Sequence, residues 1–293
     1  MKVYLKLIRV HQWVKNFFVL AAGFFGGTLL FHDVRFRLPL AFLCFCGISS
    51  AVYILNDLFD VENDRIHPEK CKRPIASGAV SVRSAVLLLI FILVVSLICS
   101  LLLSRDFFFI VLLYVGSNLA YSFGLKKVAL LDIFIVSSGF IFRVMAGGIV
   151  AHVVISQWLY IMTFLLAVFL AIAKRRDDLV LLEDTGKEMR KAIRGYNIEY
   201  VNVVMGMMSA VIIVSYLLYV TSPEIAHRFP RQKLYVSAIF VMMGLMRYLQ
   251  VTLVEKKSGS PTKVLLKDIF LQLTIIGFVT YFAVVIYVIR NGF

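Results

Sequence analysis

The sequence predicts an all-α, polytopic membrane protein of nine transmembrane helices, and three observations carry that expectation. Hydrophobic residues make up 61% of the 293 positions and charged residues only 16%, an apolar share well beyond that of a soluble globular domain. The apolar residues come in long, unalternating runs. Lipid offers no partner to a backbone amide, so runs of this kind select helices over a closed barrel. Basic residues gather in alternate connections, the asymmetry expected of a chain threaded back and forth across a bilayer.

The apolar windows are 17–31, 38–56, 84–104, 107–125, 128–150, 156–173, 200–223, 234–254 and 269–289. Most are long enough to cross roughly 30 Å of hydrocarbon as a helix. The first is the weakest, because Gly23, Gly26 and Gly27 interrupt it. Its Leu20-Ala21-Ala22-Gly23 stretch has the look of a signal-peptide cleavage region, a reading outweighed by the eight spans that follow. The fifth window carries Asp132 and Arg143, and the eighth carries Arg247.

Ahead of these windows, residues 2–15 read as one amphipathic helix in the bilayer interface. Val3, Leu7, Val10 and Val14 form one stripe and Lys2, Lys6 and Arg9 another. The chain reads as a single membrane-embedded domain over 1–293, with longer polar stretches at 57–83, 174–199 and 255–268. The first two are expected to be cytoplasmic loops that carry the chemistry.

Alternating spans place 22 of the 31 Lys and Arg residues on one side, which is therefore cytoplasmic together with the N-terminus. A net charge of +14 spread over loops in this way is a topogenic signal first. It does not indicate a nucleic-acid partner. Cys44, Cys46 and Cys99 fall in spans and Cys71 in a loop, with neither disulfide nor metal spacing among them.

The sharpest local signal is Asn56-Asp57-Leu58-Phe59-Asp60-Val61-Glu62-Asn63-Asp64, at the inner end of the second window. On a continuous helix Asn56, Asp57, Asp60 and Asp64 share an arc of about 100°. Three carboxylates this close to lipid repel one another unless a cation resides among them. Magnesium, held by a few carboxylates and by substrate phosphate oxygens, suits such a cluster better than an all-protein cage does. Arg65, Lys70 and Arg73 follow directly and are candidates to grip phosphate oxygens, Arg by a bidentate fork and Lys as a point charge. Inside-positive loop charge is the plainer account of any one of them.

The stretch Asn56 to Asp64, with Arg73-Pro74 and Ser77-Gly78 behind it, resembles the first aspartate-rich motif of the UbiA superfamily of intramembrane prenyltransferases. Nine helices fit that fold, and the resemblance covers essentially the whole chain. Further stretches resemble one branch, the decaprenyl-phosphate phosphoribosyltransferases. These are Arg9 to Asn16, Tyr121-Ser122 with Leu125-Lys126 and Asp132, Gly139-Phe140 with Arg143, and Lys174-Arg175-Arg176.

The resemblance implies a magnesium-dependent enzyme of a bacterial cytoplasmic membrane, with its active site on the inner face. It would join phosphoribosyl diphosphate to a polyprenyl phosphate and release diphosphate. A homo-oligomer is compatible with this reading. Asp57, Asp60 and Asp64, with Asn56, would hold the metal. Lys126, Lys174, Arg175 and Lys15 would receive the additional phosphates of two phosphorylated substrates.

Three features keep plainer readings beside the functional ones. Asp132 and Arg143, three turns apart, suit a substrate pocket or a mutual intramembrane pair. Tyr121 stands where interfacial tyrosines are common, and Lys174 to Arg176 also fit the end of a span.

Two rival functions share part of this pattern. Aromatic prenyltransferases of the superfamily usually carry a second Asp-x-x-x-Asp cluster after the sixth span. Here Lys174-Arg175-Arg176 stand in its place, followed by Asp177-Asp178 and a loose Asp184-x-x-x-Glu188. A transporter would be expected to show ionisable groups near the bilayer midplane rather than a cluster at its rim.

Overall fold

The computed structural model describes residues 2–66, 70–186, 191–229, 233–255 and 261–289. Among these there is no strand, and eight helical runs are long and apolar enough to cross a membrane. The helices are α1 (Lys2–Leu7), α2 (Phe18–Gly26), α3 (Val34–Phe59), α4 (Val61–Arg65), α5 (Val82–Leu103), α6 (Arg105–Phe123), α7 (Leu131–Val150), α8 (Gln157–Thr185), α9 (Ile198–Val220), α10 (Pro223–Arg228), α11 (Ala238–Leu249), α12 (Pro261–Lys267) and α13 (Ile269–Ala283). The protein is an integral membrane protein of all-α class.

Two expectations are corrected, and the count of nine spans is not confirmed. The first window does not form a single long helix: it forms α2, nine residues long, which continues directly from a 3-10 helix over Val10–Phe17 and ends at Gly27, φ 77°. Residues 2–15 are not one helix either. Arg9 takes the left-handed conformation (φ 53°, ψ 51°) and separates α1 from a 3-10 helix over Val10–Phe17. Finally, Lys174, Arg175 and Arg176 do not begin a loop: α8 runs through them to Thr185, where Gly186 (φ 64°) caps it by donating its N–H to Leu182 O at 2.8 Å. No glycine or proline interrupts 157–185, so nothing stops the helix at the end of the apolar run.

The chain divides into two compact units. The first contains Met1–Leu125 and Gly139–Ile155. Its core joins Leu38, Phe45 and Ile48 of α3 to Phe107, Val111 and Tyr114 of α6 and to Ala146 and Val150 of α7. The α3–α5 contact is close because Gly47 faces the Ser96 hydroxyl, and Cys44 Sγ donates to Ser96 O at 3.0 Å. Small residues let two helix backbones approach where lipid provides no hydrophobic drive to hold them together. A smaller cluster of Leu7, Ile54, Ile75, Val80 and Ala85 fastens α1 and the 73–80 turn to the end of α3.

The second unit contains Lys126–Ser138 and Ser156–Phe293. Phe169 and Ala173 of α8, Met205 and Ile212 of α9, Tyr248 and Val251 near the end of α11, and Leu271 of α13 make its core, together with Ile193. Its helix starts carry side-chain caps: Ser156 accepts from Leu159 N at 3.2 Å, Asn197 from Tyr200 N at 2.7 Å and Asp268 from Leu271 N at 2.9 Å. Each satisfies an amide that has no partner within its own helix.

Candidate active site

Asp57 lies on the last turn of α3 and Asp64 on α4, with Asp60 at the junction (φ −96°, ψ 5°). The helical hydrogen bonding carries across that junction, since Asp60 N donates to Asn56 O and Asp64 N to Asp60 O. Seven residues are almost two full turns, so Asp57 and Asp64 stand only about 20° apart around the axis. Both are buried, at 2% and 3% exposure, whereas Asp60 is half-buried. One nitrogen, Arg73 Nη1, donates to Asp57 Oδ1 at 3.0 Å and to Asp64 Oδ2 at 2.6 Å. Arg9 donates to the same oxygen of Asp57.

The local sequence explains how both arginines arrive there. Leu7, fully buried, pins α1, and the left-handed turn at Arg9 then aims its guanidinium at Asp57, over the Tyr53 ring at 4.9 Å. Arg73 begins a turn in which Ser77 N bonds Arg73 O and Val80 N bonds Pro74 O, with buried Ile75 and Val80 as anchors. Gly78 (φ 75°) closes that turn, in a backbone region that glycine enters without steric cost. Asn56 accepts from Ser122 at the end of α6, whose hydroxyl also bonds Asn118 O at 2.8 Å. Tyr121, beside it, is half-buried.

One turn before Asp57, Lys15 is close enough to Tyr53 to act on its hydroxyl. Trp13 Nε1 donates to Ser50 Oγ at 3.1 Å, and Ser50 in turn donates to Ile8 O at 2.8 Å. Arg143 is buried among neutral partners. Its Nε bonds Asn16 Oδ1 at 2.7 Å, its Nη1 bonds Gly139 O at 2.8 Å and its Nη2 bonds Tyr114 Oη at 3.0 Å, with the rings of Tyr114 and Phe140 beside it. The first unit thus sets Arg9 and Arg73 on the two buried carboxylates, with Lys15 and Arg143 near Tyr53, one turn before Asp57.

In the second unit, Asp132 is fully buried and takes Arg175 Nε on Oδ2 at 2.5 Å and the Tyr196 hydroxyl on Oδ1 at 2.9 Å. Arg175 reaches Asp178 Oδ2 at 3.3 Å through Nη1, and Arg176 bonds Asn202 at 2.8 Å. Burial pushes the Tyr196 phenol up to about 12, so it keeps its proton and donates it to Asp132. Its oxygen accepts from Leu130 N at 2.6 Å. Lys126 and Lys174 are half-buried, and Asp184 is exposed. Glu188 lies outside the described residues.

The structure therefore brings Asn56, Asp57, Asp64 and Arg73 together and leaves Arg65 at the surface, paired with Glu62 at 3.0 Å. Lys70 is half-buried nearby in sequence. Asp132 and Arg143 do not satisfy each other. Arg9, Tyr53, Asn16, Ser122, Tyr114 and Tyr196 are the site residues that sequence reasoning did not single out. Arg9, Asn16 and Ser122 lay within stretches already noticed, while nothing in the sequence marks Tyr196.

A magnesium ion fits this donor set. Among the described residues no three His, Cys, Asp or Glu side chains form a metal-holding group. Yet Asp57 and Asp64 face one point closely enough for a single nitrogen to touch both. Two hard carboxylate ligands, completed by water and substrate phosphate, are the usual protein share of a magnesium site.

Residues 16–274 match the UbiA prenyltransferase family. The chain is 34% identical to a decaprenyl-phosphate phosphoribosyltransferase of Mycolicibacterium smegmatis, over 97% of this chain and 92% of that protein. A decaprenyl-phosphate phosphoribosyltransferase of Corynebacterium glutamicum is 32% identical over 97% and 86%. Among solved structures, a UbiA homolog from Archaeoglobus fulgidus bound to DMAPP and Mg2+ shares the fold at a TM-score of 0.71 and 20% identity, covering 97% of this chain and 99% of that one.

Proposed function

We propose, given that this chain belongs to the UbiA prenyltransferase family and is a transferase, that it moves 5-phosphoribose from phosphoribosyl diphosphate to a polyprenyl phosphate. The observation that carries this reading is the cationic surroundings of the acidic stretch: Arg9 and Arg73 on Asp57 and Asp64, with Lys15 and Arg143 near Tyr53, one turn before Asp57. A site for two phosphorylated substrates needs such positive charge, whereas an aromatic acceptor brings at most one carboxylate. The relatives named decaprenyl-phosphate phosphoribosyltransferase support the same choice.

Asp57 and Asp64 would hold magnesium, with Asn56 and Asp60 at its edge. When bound, magnesium stabilises the charge that grows on the departing diphosphate. Arg73, with Lys70 and Arg65 toward the surface, binds phosphate oxygens of the donor, while Arg9 stays on Asp57. In the first unit Lys15 and Tyr121 are candidates for further substrate phosphates; Lys126 and Lys174, in the second unit, are candidates on the sequence alone. The bond from sugar C1 to the diphosphate oxygen breaks, the electron pair leaves with diphosphate, and an anionic oxygen of the lipid phosphate closes on C1. No protein nucleophile is required, because the acceptor is already anionic near neutral pH. Asp132 and Arg175 hold each other, and both remain candidates for substrate contact. The excess of basic residues in alternate connections supports a site on the cytoplasmic face with the N-terminus inside, and the bacterial relatives support a bacterial inner membrane.

The test is one incubation of the purified protein with magnesium, phosphoribosyl diphosphate and a short polyprenyl phosphate, followed by mass spectrometry. A new phosphosugar lipid with release of diphosphate is expected. Consumption of a prenyl diphosphate in place of the phosphoribosyl one would mark an aromatic prenyltransferase and overturn the substrate reading.

A further inference from the structure

The two carboxylates best placed for a metal already share a cation of the chain's own. Arg73 Nη1 spans Asp57 and Asp64 at 3.0 and 2.6 Å, where both acids are almost wholly buried. Carboxylates this deeply buried side by side require positive charge. A guanidinium tethered by a fixed turn supplies it at high effective concentration. A divalent ion seeking the same oxygens must displace it. The freed guanidinium, 27% exposed beside a half-desolvated site, then needs a new anion. Phosphate is the geometric match for its planar fork.

A diphosphate with its metal solves both halves of this exchange at once. The ion takes the carboxylates, a phosphate takes the arginine, and every buried charge keeps a partner. Arg9 is placed for a different task. Its backbone is fixed in the left-handed region, and its guanidinium lies over the Tyr53 ring while it bonds Asp57. Those added constraints hold it against Asp57 when Arg73 leaves. The backbone beneath Arg73 stays put through the exchange, because Ile75 and Val80 anchor its turn in the core.

We infer that Arg73 is an exchangeable counter-cation that makes divalent-metal binding at Asp57 and Asp64 conditional on a diphosphate. The inference rests on the proposed function only in taking a diphosphate as the anion, and it does not depend on which group that diphosphate carries. The consequence is an order of events: the metal enters with the diphosphate and departs with it. Between turnovers the acidic pair is held by the chain itself.

The experiment measures Mn2+ binding to the purified full chain by electron paramagnetic resonance, without and with inorganic diphosphate, corrected for the complex formed in buffer. Wild type is expected to bind Mn2+ weakly alone and at least about tenfold more tightly with diphosphate. Arg73→Gln is expected to bind Mn2+ alone at least about tenfold more tightly than wild type and to lose most of the diphosphate effect. A residue with a merely structural role would lower metal affinity when removed, not raise it. Equal Mn2+ affinity of wild type with and without diphosphate overturns the inference even if the variant does not fold. So does an Arg73→Gln protein that binds Mn2+ alone no better than wild type, or the absence of Mn2+ binding under every condition. Turnover of a prenyl diphosphate in the separate substrate assay would remove the phosphoribosyl reading and leave this inference standing.

Discussion

Asp132 is paired with Arg175, Nε to Oδ2 at 2.5 Å, and not with Arg143 of its own helix. The aspartate is completely buried and the arginine 2% exposed. Removing one member of such a pair strands a buried charge, while removing both can be nearly neutral. Arg175→Met is therefore expected to destabilise the protein by about 3–5 kcal/mol. The double variant Asp132→Asn/Arg175→Met should recover most of that loss. Denaturant unfolding of the three variants in detergent gives the coupling directly, and additive losses would refute the pairing.

The three aspartates of the acidic stretch should not behave alike. Asp57→Asn and Asp64→Asn each remove a carboxylate from the shared point and are expected to lower kcat by about 10²-fold or more. Asp60→Asn, which lies off that line, is expected to cost clearly less. Steady-state turnover at saturating magnesium, with unfolding temperatures recorded beside it, separates chemistry from stability. A uniform loss across the three would restore a three-carboxylate metal site.

Arg9 combines a side-chain role with a backbone conformation that disfavours every residue but glycine and, less so, asparagine and aspartate. Arg9→Gly and Arg9→Ala both lose the bond to Asp57, so both should raise the KM for the diphosphate substrate. Alanine alone also retains the strain, and Arg9→Ala is expected to be less stable than Arg9→Gly by about 1 kcal/mol. Thermal unfolding of the pair reads this difference, and equal stability would mean the left-handed turn is not kept.

Asp268 caps α13 and takes Arg247 Nη2 at 2.7 Å, and the hydrogen bond from Arg247 holds its carboxyl below the usual carboxylate range. A carboxyl whose folded pKa is depressed contributes stability that is present above its unfolded value, about 3.9. That contribution is lost as pH falls through the lower, folded value. Unfolding temperature is thus expected to drop as pH is lowered below about 4, and the drop should be shallower in Asp268→Asn. An identical acid profile in the variant would assign the acid sensitivity to other groups.

The acidic stretch was legible in the sequence because helical periodicity alone stacks Asp57 over Asp64. Burial, which periodicity does not report, separates Asp60 from the other two, and turnover of Asp60→Asn decides its share in the site. The count of spans is not confirmed at 17–31 for a local reason: Gly27 adopts a positive φ and ends α2 after nine residues. Lys174 to Arg176 were read as a loop because charge interrupts an apolar window. Helix continuation, however, depends on backbone propensity, and charged residues are good helix formers.

By itself the sequence determined the solvent, the helical class and the helix end that carries the carboxylates. All of these follow from composition and from interactions between residues close along the chain. Only the tertiary structure decided the partners: Arg73 between Asp57 and Asp64, Arg9 on Asp57 from 48 residues away, and Arg175 on Asp132 from 43 residues away. A buried charge is satisfied by whichever opposite charge the folded chain delivers to it, and that choice is made by packing between helices, which no local pattern encodes.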